Sequence, residues 1–316
     1  MRIASATHLR RIGERGPGVE VEVGERRLRL TNLDKRMYPL GAFTKGQVID
    51  YYARAAHAIL PHVAGRPLTL KRFPDGLDGA YFYEKQCPRY RPEWLETVPI
   101  WTERFQETYE YCTASESAAL VWLANLANLE LHVALGRAGA LQTPTAVVFD
   151  LDPGHPAGPL HACQAALVLR GLFEQLGIEC FAKSSGSKGI HVFVPINAPV
   201  TYPETKRFAR AVAETVAGRL PELALAEVTR ARRRGRVLID WGQNDHHKTM
   251  VAPYSLRAVD PPTVSMPLRW EEVEAALEVE DIARLTASPQ EMLERLDREG
   301  DLFAPVAELR QELPEL

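Results

Sequence analysis

The chain has 316 residues, 46 % hydrophobic and 25 % charged, with a formal net charge of −3. That is enough for one large domain or two closely packed lobes, with ordinary globular composition. No apolar run approaches the ~18 residues a membrane span requires. The N-terminal stretch lacks the apolar core of a signal peptide, so a cytoplasmic protein with no membrane partner is expected.

The net charge argues weakly against nucleic-acid binding, but distribution matters more than the sum. Acidic residues crowd the chain after Trp270, whereas Arg230 to Arg236 holds five arginines in seven residues. An acidic tail can therefore mask a basic working face. Cys87, Cys112, Cys163 and Cys180 are widely spaced with no CxxC pair. Four buried or half-buried free thiols are expected, not a zinc ribbon or a disulfide framework.

In chain order, residues 19–30 predict a β-hairpin. Val19, Val21 and Val23 alternate with charge, Gly24-Glu25 turns the chain, and Leu28 and Leu30 resume the alternation. A polar loop, Thr31 to Lys35, leads to a Pro39/Gly41 turn. Thr44 and Gln47 form a capping box for a helix whose buried stripe is Val48, Ile49, Tyr52, Ala55, Ala56 and Ile59. Gly65 ends that helix and residues 67–72 read as a strand. Residues 73–115 are mixed, rich in aromatics and proline. An apolar helix follows over roughly 116–128, then a strand in which Leu129, Leu131, Val133 and Leu135 alternate with Glu130 and His132.

Residues 147–152 are a further strand. A helix carrying Leu160, Leu167, Leu172 and Leu176 closes at Gly177. A strand near 179–183, the loop Ser184 to Gly189 and a strand from Ile190 to Ile196 come next. Thr201 and Glu204 cap a helix with Phe208, Val212 and Val216 on one face, and residues 237–241 form another strand. From about 270 the chain reads as short helices broken by proline. Strands and helices alternate without internal repeats, so the class is α/β or α+β.

Three stretches carry chemistry. In the strand Val147 to Asp152, residues two apart share a face, so Asp150 and Asp152 point together while Val147, Phe149 and Leu151 face the core. Two such carboxylates repel unless a cation lies between them, and hard divalent ions suit oxygen ligands. Asp240 likewise ends an apolar β-run; either metals or the arginines just upstream could partner it. Lys183-Ser-Ser-Gly-Ser-Lys-Gly-Ile-His191 sits between two predicted strands. Its glycines, hydroxyls and Lys188 suit phosphate oxygens, although the GxxxxGK[ST] order is absent. His132 and His191 lie on the polar faces of their strands, where a structural histidine is also an ordinary occupant. Lys71, Arg72 and Arg257 are further cations of the kind phosphate-rich ligands need.

Jointly, LTNLDKRMYP, LTLKRFPDG, FYEKQCP, ANLELHV, VVFDLDPG, SSGSKGIHVFVP, GRVLIDWGQN and VAPYSLRA run in order from about 30 to 258. In these stretches the chain resembles the archaeo-eukaryotic primase superfamily, specifically the polymerase module of bacterial DNA ligase D and its stand-alone relatives. The resemblance implies a primase-like two-lobed α+β catalytic core over 1–268 with an RRM-like subdomain, and a helical tail over 269–316.

It implies a DNA repair polymerase of nucleoid-associated location. Such an enzyme adds NTPs or dNTPs to a primer 3′-hydroxyl at DNA ends or short gaps. Two divalent ions, preferably Mn²⁺ or else Mg²⁺, would be held by Asp150, Asp152 and Asp240. His132, Ser185, Lys188 and Arg257 match nucleotide-contacting positions, with Lys71, Arg233 and Gln243 as further members of that pocket. Asn32, Lys35 and Lys45 match a pocket for the 5′-phosphate across a gap, and Phe82 and Tyr83 an aromatic pair that stacks on the template. Implied partners are gapped or broken duplex DNA, a separate ATP-dependent DNA ligase and a Ku-type protein. CPRYRPEW and LVWLANLANLELH look more like the stand-alone, gap-filling branch, and 316 residues leave no room for a ligase or nuclease domain.

Three other readings are weaker. A DxD phosphatase of the haloacid dehalogenase type wants Thr or Val where Gly154 stands. A DNA-end-binding module with a dead active site does not need three aspartates. Nothing beyond the DxD supports a glycosyltransferase.

Overall fold

The computed structural model describes residues 9–14, 18–103, 105–227 and 233–314. Part of the arginine run, residues 230–232, lies outside them. Two compact units are present. One holds residues up to Val133 together with Tyr254–Val264 and Ser288–Gly300; the other holds Ala134–Pro253, Ser265–Ala287 and Asp301–Leu316.

In the first unit, strands Gly18–Val23 and Arg26–Thr31 pair antiparallel with Val23 opposite Arg26. This is the expected hairpin turning on Gly24-Glu25. The Thr44 capping box forms, its hydroxyl accepting from the Gln47 N–H and the Gln47 side chain accepting from the Thr44 N–H. The predicted apolar stripe is buried throughout. The helical track, however, steps at Ala55 into two helices, Lys45–Arg54 and Ala56–Val63. Tyr51 and Tyr52 are buried in it and satisfy their hydroxyls on the backbone carbonyls of Tyr254 and Leu129. Strand Leu68–Arg72 runs between Asn128–Val133 and Phe82–Glu84, antiparallel to both.

The proline-rich stretch 73–115 contains a hairpin that local pattern did not show, strands Thr97–Thr102 and Glu107–Cys112. It also corrects the cysteine expectation. Cys87 and Cys112 are joined in a disulfide across 25 residues, not free. The Cys87 N–H donates to the Glu110 carbonyl, which draws the two Cα atoms to 5.0 Å. Spacing along the chain carries no trace of such a backbone contact. Cys163 and Cys180 are buried thiols as expected, and burial pushes both up to about 12.

The second unit is built on a six-stranded sheet. Its order is Ala224–Leu225, Val237–Asp240, Ala146–Pro153, Ile190–Pro195, Phe181–Ser184, Pro267–Leu268. Helices Pro159–Gln175 and Tyr202–Arg219 both cover the central strand Ala146–Pro153. Phe149 meets Phe173 of one helix at 5.5 Å, and Phe173 meets Phe208 of the other at 6.3 Å. The helices therefore lie on the Val147-Phe149-Leu151 face, which leaves the alternate face of the strand to Asp150 and Asp152. In helix Pro159–Gln175 the buried stripe is Ala162, Cys163, Ala165, Ala166, Leu169 and Phe173. The leucines that marked the helix in sequence, Leu160, Leu167, Leu172 and Leu176, are only half-buried. Small residues let the helix approach the sheet closely, and bulky ones would hold it off.

Strand Val237–Asp240 ends where the chain turns into Trp241–Gln243, and there Asn244 extends the ladder with its side chain. Its carboxamide oxygen accepts from the Val148 N–H at 2.9 Å and its amide donates to the Val148 carbonyl at 2.7 Å. Asn244 is fully buried, so an alanine there strands both backbone groups. Asn244→Ala is expected to lower unfolding free energy by roughly 2–4 kcal/mol, read from urea denaturation. A loss under about 0.5 kcal/mol would show that the pairing is dispensable.

Candidate active site

The three aspartates are assembled by strand register. Asp150 lies directly opposite Asp240 in the antiparallel pair. Side chains at such a pair project from the same face, with Cβ atoms roughly 4.5–5.5 Å apart. Asp152, two residues on, shares that face. Each carboxylate takes a different partner. His191 Nε2 is 3.3 Å from Asp150 Oδ1, and Arg233 Nη1 is 3.2 Å from Asp152 Oδ2. Asp240 accepts from the Gly242 N–H at 2.9 Å and from Gln243 Nε2 at 3.0 Å. Burial and then the charge of Asp150 push the Asp152 carboxyl above its ordinary range, with Arg233 opposing them. Gly154 closes this end of the strand, because a Cβ there would strike the Arg233 carbonyl.

The glycine loop is shaped by Ser185, whose Oγ accepts from the N–H groups of Ser187 and Gly189. Its lone pairs are thereby engaged, so what it can offer a ligand is its proton. Lys188 is exposed, and its charge lowers the Asp152 carboxyl. Gln243, expected in a nucleotide pocket, is turned onto Asp240. A few residues on, the ligand atoms of Asp245, His246 and His247 all lie within 4.8 Å of one another. Both histidines there are exposed, and Asp245 is already tied to Lys206 at 2.7 Å.

The first unit gathers Lys71, His132 and Arg257 around Glu130, which the sequence marked only as alternating with the leucines of its strand. Glu130 is 2 % exposed. Its carboxylate meets Lys71 Nζ at 3.2 Å, His132 Nε2 at 2.8 Å and the Ala258 N–H at 2.9 Å, with Arg257 Nε at 3.7 Å. Burial alone would raise Glu130; the His132 hydrogen bond and Arg257 override it and hold it at about 2. Burial lowers His132 against the pull of Glu130. Arg257 Nε is buried and makes no hydrogen bond, facing Glu130 only at ion-pair distance. Alternation in Leu129 to Leu135 did place Glu130 and His132 on one face; burial of that face is what it could not show.

Phe82 and Tyr83 are both exposed, yet they occupy opposite faces of their strand. Phe82 pairs with Arg72, whose guanidinium lies 5.3 Å from its ring. Tyr83 pairs with Lys71 and packs edge-on to His132 at 5.8 Å. Tyr81, exposed and 6.1 Å from Tyr83, shares the Tyr83 side. It was not picked out from the sequence.

Asn32, Lys35 and Lys45 come together. Asn32 takes a left-handed turn at φ 55°, its carbonyl accepts from the Lys35 N–H, and the Lys35 carbonyl accepts from the Lys45 N–H. Lys35 is half-exposed and bonded to Asp75 at 2.7 Å. Lys45 is 4 % exposed and donates to the Thr31 carbonyl. Burial, then Lys35 and Arg72, lower the Lys45 ammonium to about 8.

Asp150 in register with Asp240, with Asp152 on the same face of a helix-backed sheet in a mixed α+β chain, is an arrangement consistent with a primase-polymerase, a nucleotidyltransferase class. Residues 44–303 match the family model of the LigD primase-polymerase domain, and the chain belongs to that family. It is 40 % identical over 282 residues to the multifunctional non-homologous end joining protein LigD of Mycolicibacterium smegmatis, covering 89 % of this chain and 36 % of that protein. To the bifunctional LigD of Bacillus subtilis it is 32 % identical over 252 residues, covering 79 % of this chain and 40 % of that protein. The chain thus spans about two fifths of the length of these relatives. The polymerase domain of Mycobacterium tuberculosis ligase D, solved in complex with DNA, superposes with a TM-score of 0.83 at 36 % identity. That match covers 91 % of this chain and all of that one. Among the described residues no helix is long and apolar enough to cross a membrane.

The folded Glu130 carboxyl lies below its ordinary 4.5, so its contribution is complete above about 4.5 and is lost as pH falls toward 2. Glu130→Gln should therefore cost roughly 3 kcal/mol at neutral pH, a deficit that narrows as acid protonates the wild-type group. Denaturant titrations across that range check it; a deficit independent of pH would contradict the assignment.

Proposed function

We propose that this chain is a metal-dependent DNA repair polymerase that adds NTPs or dNTPs to a primer 3′-hydroxyl at DNA ends or short gaps. The observation that supports it most is the pairing of Asp150 with Asp240, with Asp152 on the same face. The donor set is carboxylate oxygen, which suits Mg²⁺ or Mn²⁺ rather than softer ions. Asp150 and Asp240 face each other and Asp152 shares their face, so negative charge is concentrated where a divalent cation would sit. Two such ions would supply Lewis acidity at the attacking hydroxyl and the transferred phosphate.

The chain's own residues do the rest. Gln243 and the Gly242 N–H hold Asp240 in one orientation, and Arg233 does so for Asp152. Arg233, Lys188 and the Ser185 hydroxyl are donors for a triphosphate. These belong to the unit that carries the triad; in the other unit Lys71, His132 and Arg257 are proposed as nucleotide contacts. Phe82 and Tyr83 would stack on template bases, which needs only a π-face and reads no sequence. Asn32, Lys35 and Lys45 would grip a 5′-phosphate and so mark the far edge of a gap without base readout. Residues 1–268 would act as the catalytic module and 269–316 as its helical tail. A separate ligase and a Ku-type end binder are the proposed partners.

Two experiments test this. Asp150→Ala or Asp240→Ala should reduce primer extension by roughly a thousand-fold or more and leave DNA affinity largely unchanged by fluorescence anisotropy; robust extension by either variant would end the polymerase reading. Separately, wild-type protein should bind a short gap with a 5′-phosphate about tenfold more tightly than one with a 5′-hydroxyl, and Lys35→Ala with Lys45→Met should abolish that difference while sparing extension of an open primer-template. Lys45 is charged below about 8, so the preference should weaken as pH rises through that value. A wild type indifferent to the 5′-phosphate would remove gap recognition alone.

A further inference from the structure

The central register extends beyond the acids. Asp240 pairs with Asp150, Asp150 with His191, and His191 with Lys183, so four polar side chains form one row across four adjacent strands. Lys183 is fully buried. Buried lysines are rare and need partners. Its Nζ lies 2.9 Å from His191 Nδ1 and 2.6 Å from Ser265 Oγ. It also lies 5.8 Å from the centre of the Phe193 ring, a placement that suits a cation. His191 Nε2 in turn faces Asp150 Oδ1 at 3.3 Å.

The direction of these bonds follows from counting protons. Ser265 has one hydroxyl proton, and it is donated to the Ser184 carbonyl at 3.0 Å. Toward Lys183 the Ser265 oxygen therefore accepts, and Lys183 donates. Taken as the ammonium that its place beside the Phe193 ring suits, Lys183 has no lone pair, so toward His191 it donates again, which makes Nδ1 the acceptor. A neutral ring with Nδ1 accepting carries its hydrogen on Nε2, the atom that faces Asp150.

We propose that Lys183 is a positioning residue: it holds His191 as the Nε2–H tautomer, and His191 so held donates to Asp150 and turns its carboxylate for a divalent cation. This rests on the reading of the aspartates as metal ligands. Outer partners that fix a ligand's orientation commonly matter 10–100-fold in metal affinity. Here the ligand is a carboxylate and histidine is the outer partner. Ser265 anchors the far end by occupying a second donor of the lysine. A merely structural lysine would require the partners but not their polarity.

The test uses the whole chain and Mn²⁺ alone as probe. Nitrogen NMR of ¹⁵N-histidine protein, assigned with His191→Gln, should show His191 as the Nε2–H tautomer in wild type. An Nδ1–H tautomer or an imidazolium there overturns the proposal without any lysine variant, so a failure of that variant to fold does not shelter it. In Lys183→Met, which keeps the buried stem, the single tautomer should give way to a mixture, and Mn²⁺ affinity by calorimetry should fall roughly tenfold or more. Unchanged affinity with unchanged tautomer overturns it. Asp150→Asn separates the two readings: if that variant binds Mn²⁺ as wild type does, the metal reading itself fails and this one with it. If Asp150→Asn loses Mn²⁺ and Lys183→Met does not, only the role of Lys183 falls.

Discussion

Antiparallel register is the constraint on which the catalytic half of this protein depends. Asp150 and Asp240 are 90 residues apart in sequence, and only the pairing of their strands sets them face to face. A slip of one residue would turn Asp240 to the opposite face, into the layer where Phe149 and Phe173 meet. Asn244 defends that register at the point where regular strand bonding ends, because its carboxamide imitates a peptide group for Val148. Gly154 defends it from the other end, by letting the Arg233 backbone come close enough for its side chain to reach Asp152.

The sheet is asymmetric for the same reason. One face is sealed by two helices, and small residues bring the first of these close. The other face carries charge that cannot be buried alone. Like carboxylates at this spacing repel, so each has its own hydrogen-bonding partner: an imidazole, a guanidinium, an amide with a backbone N–H, of which only the guanidinium brings a counter-charge. Glu130 shows the reverse arrangement in the other unit, where one buried anion organises surrounding cations. Both clusters obey one rule, that charge brought out of water is held by specific partners.

Much of this was legible in sequence, and the limits have physical causes. Apolar runs with alternate acids identified the strands of Asp150 and Asp240, since a strand's two faces are written directly in a period of two. The Thr44 capping box and the Gly24-Glu25 turn are local, and so were readable. Cross-chain contacts were not. Cys87 and Cys112 meet because a loop backbone hydrogen-bonds to a distant strand. The role of Glu130 was not readable, because alternation reports which residues share a face, not whether that face is covered. The leucines of helix Pro159–Gln175 marked the helix without showing which side is covered; the buried stripe is mostly alanine, with Leu169 and Phe173. Phe82 and Tyr83 are adjacent in sequence, and adjacency in a strand separates them. The shared face of Asp150 and Asp152 was readable from their spacing; Asp240 was joined to them only by resemblance, and His191 and Lys183 gain their relation to that face only through the neighbouring strands.

The Glu130 cluster has an unequal ionic tally. Lys71 and Arg257 are cations, Glu130 is their single counter-anion, and burial holds the proton off His132. The local sum is one positive charge, carried by side chains that are mostly but not wholly covered. Such a surplus discriminates by valence. A polyanion gains from it more than a monovalent ion does, and sulfate or inorganic phosphate in a buffer would compete where chloride of equal ionic strength would mostly screen. The composition of the solution, beyond its conductivity, is therefore a variable that this part of the protein would register.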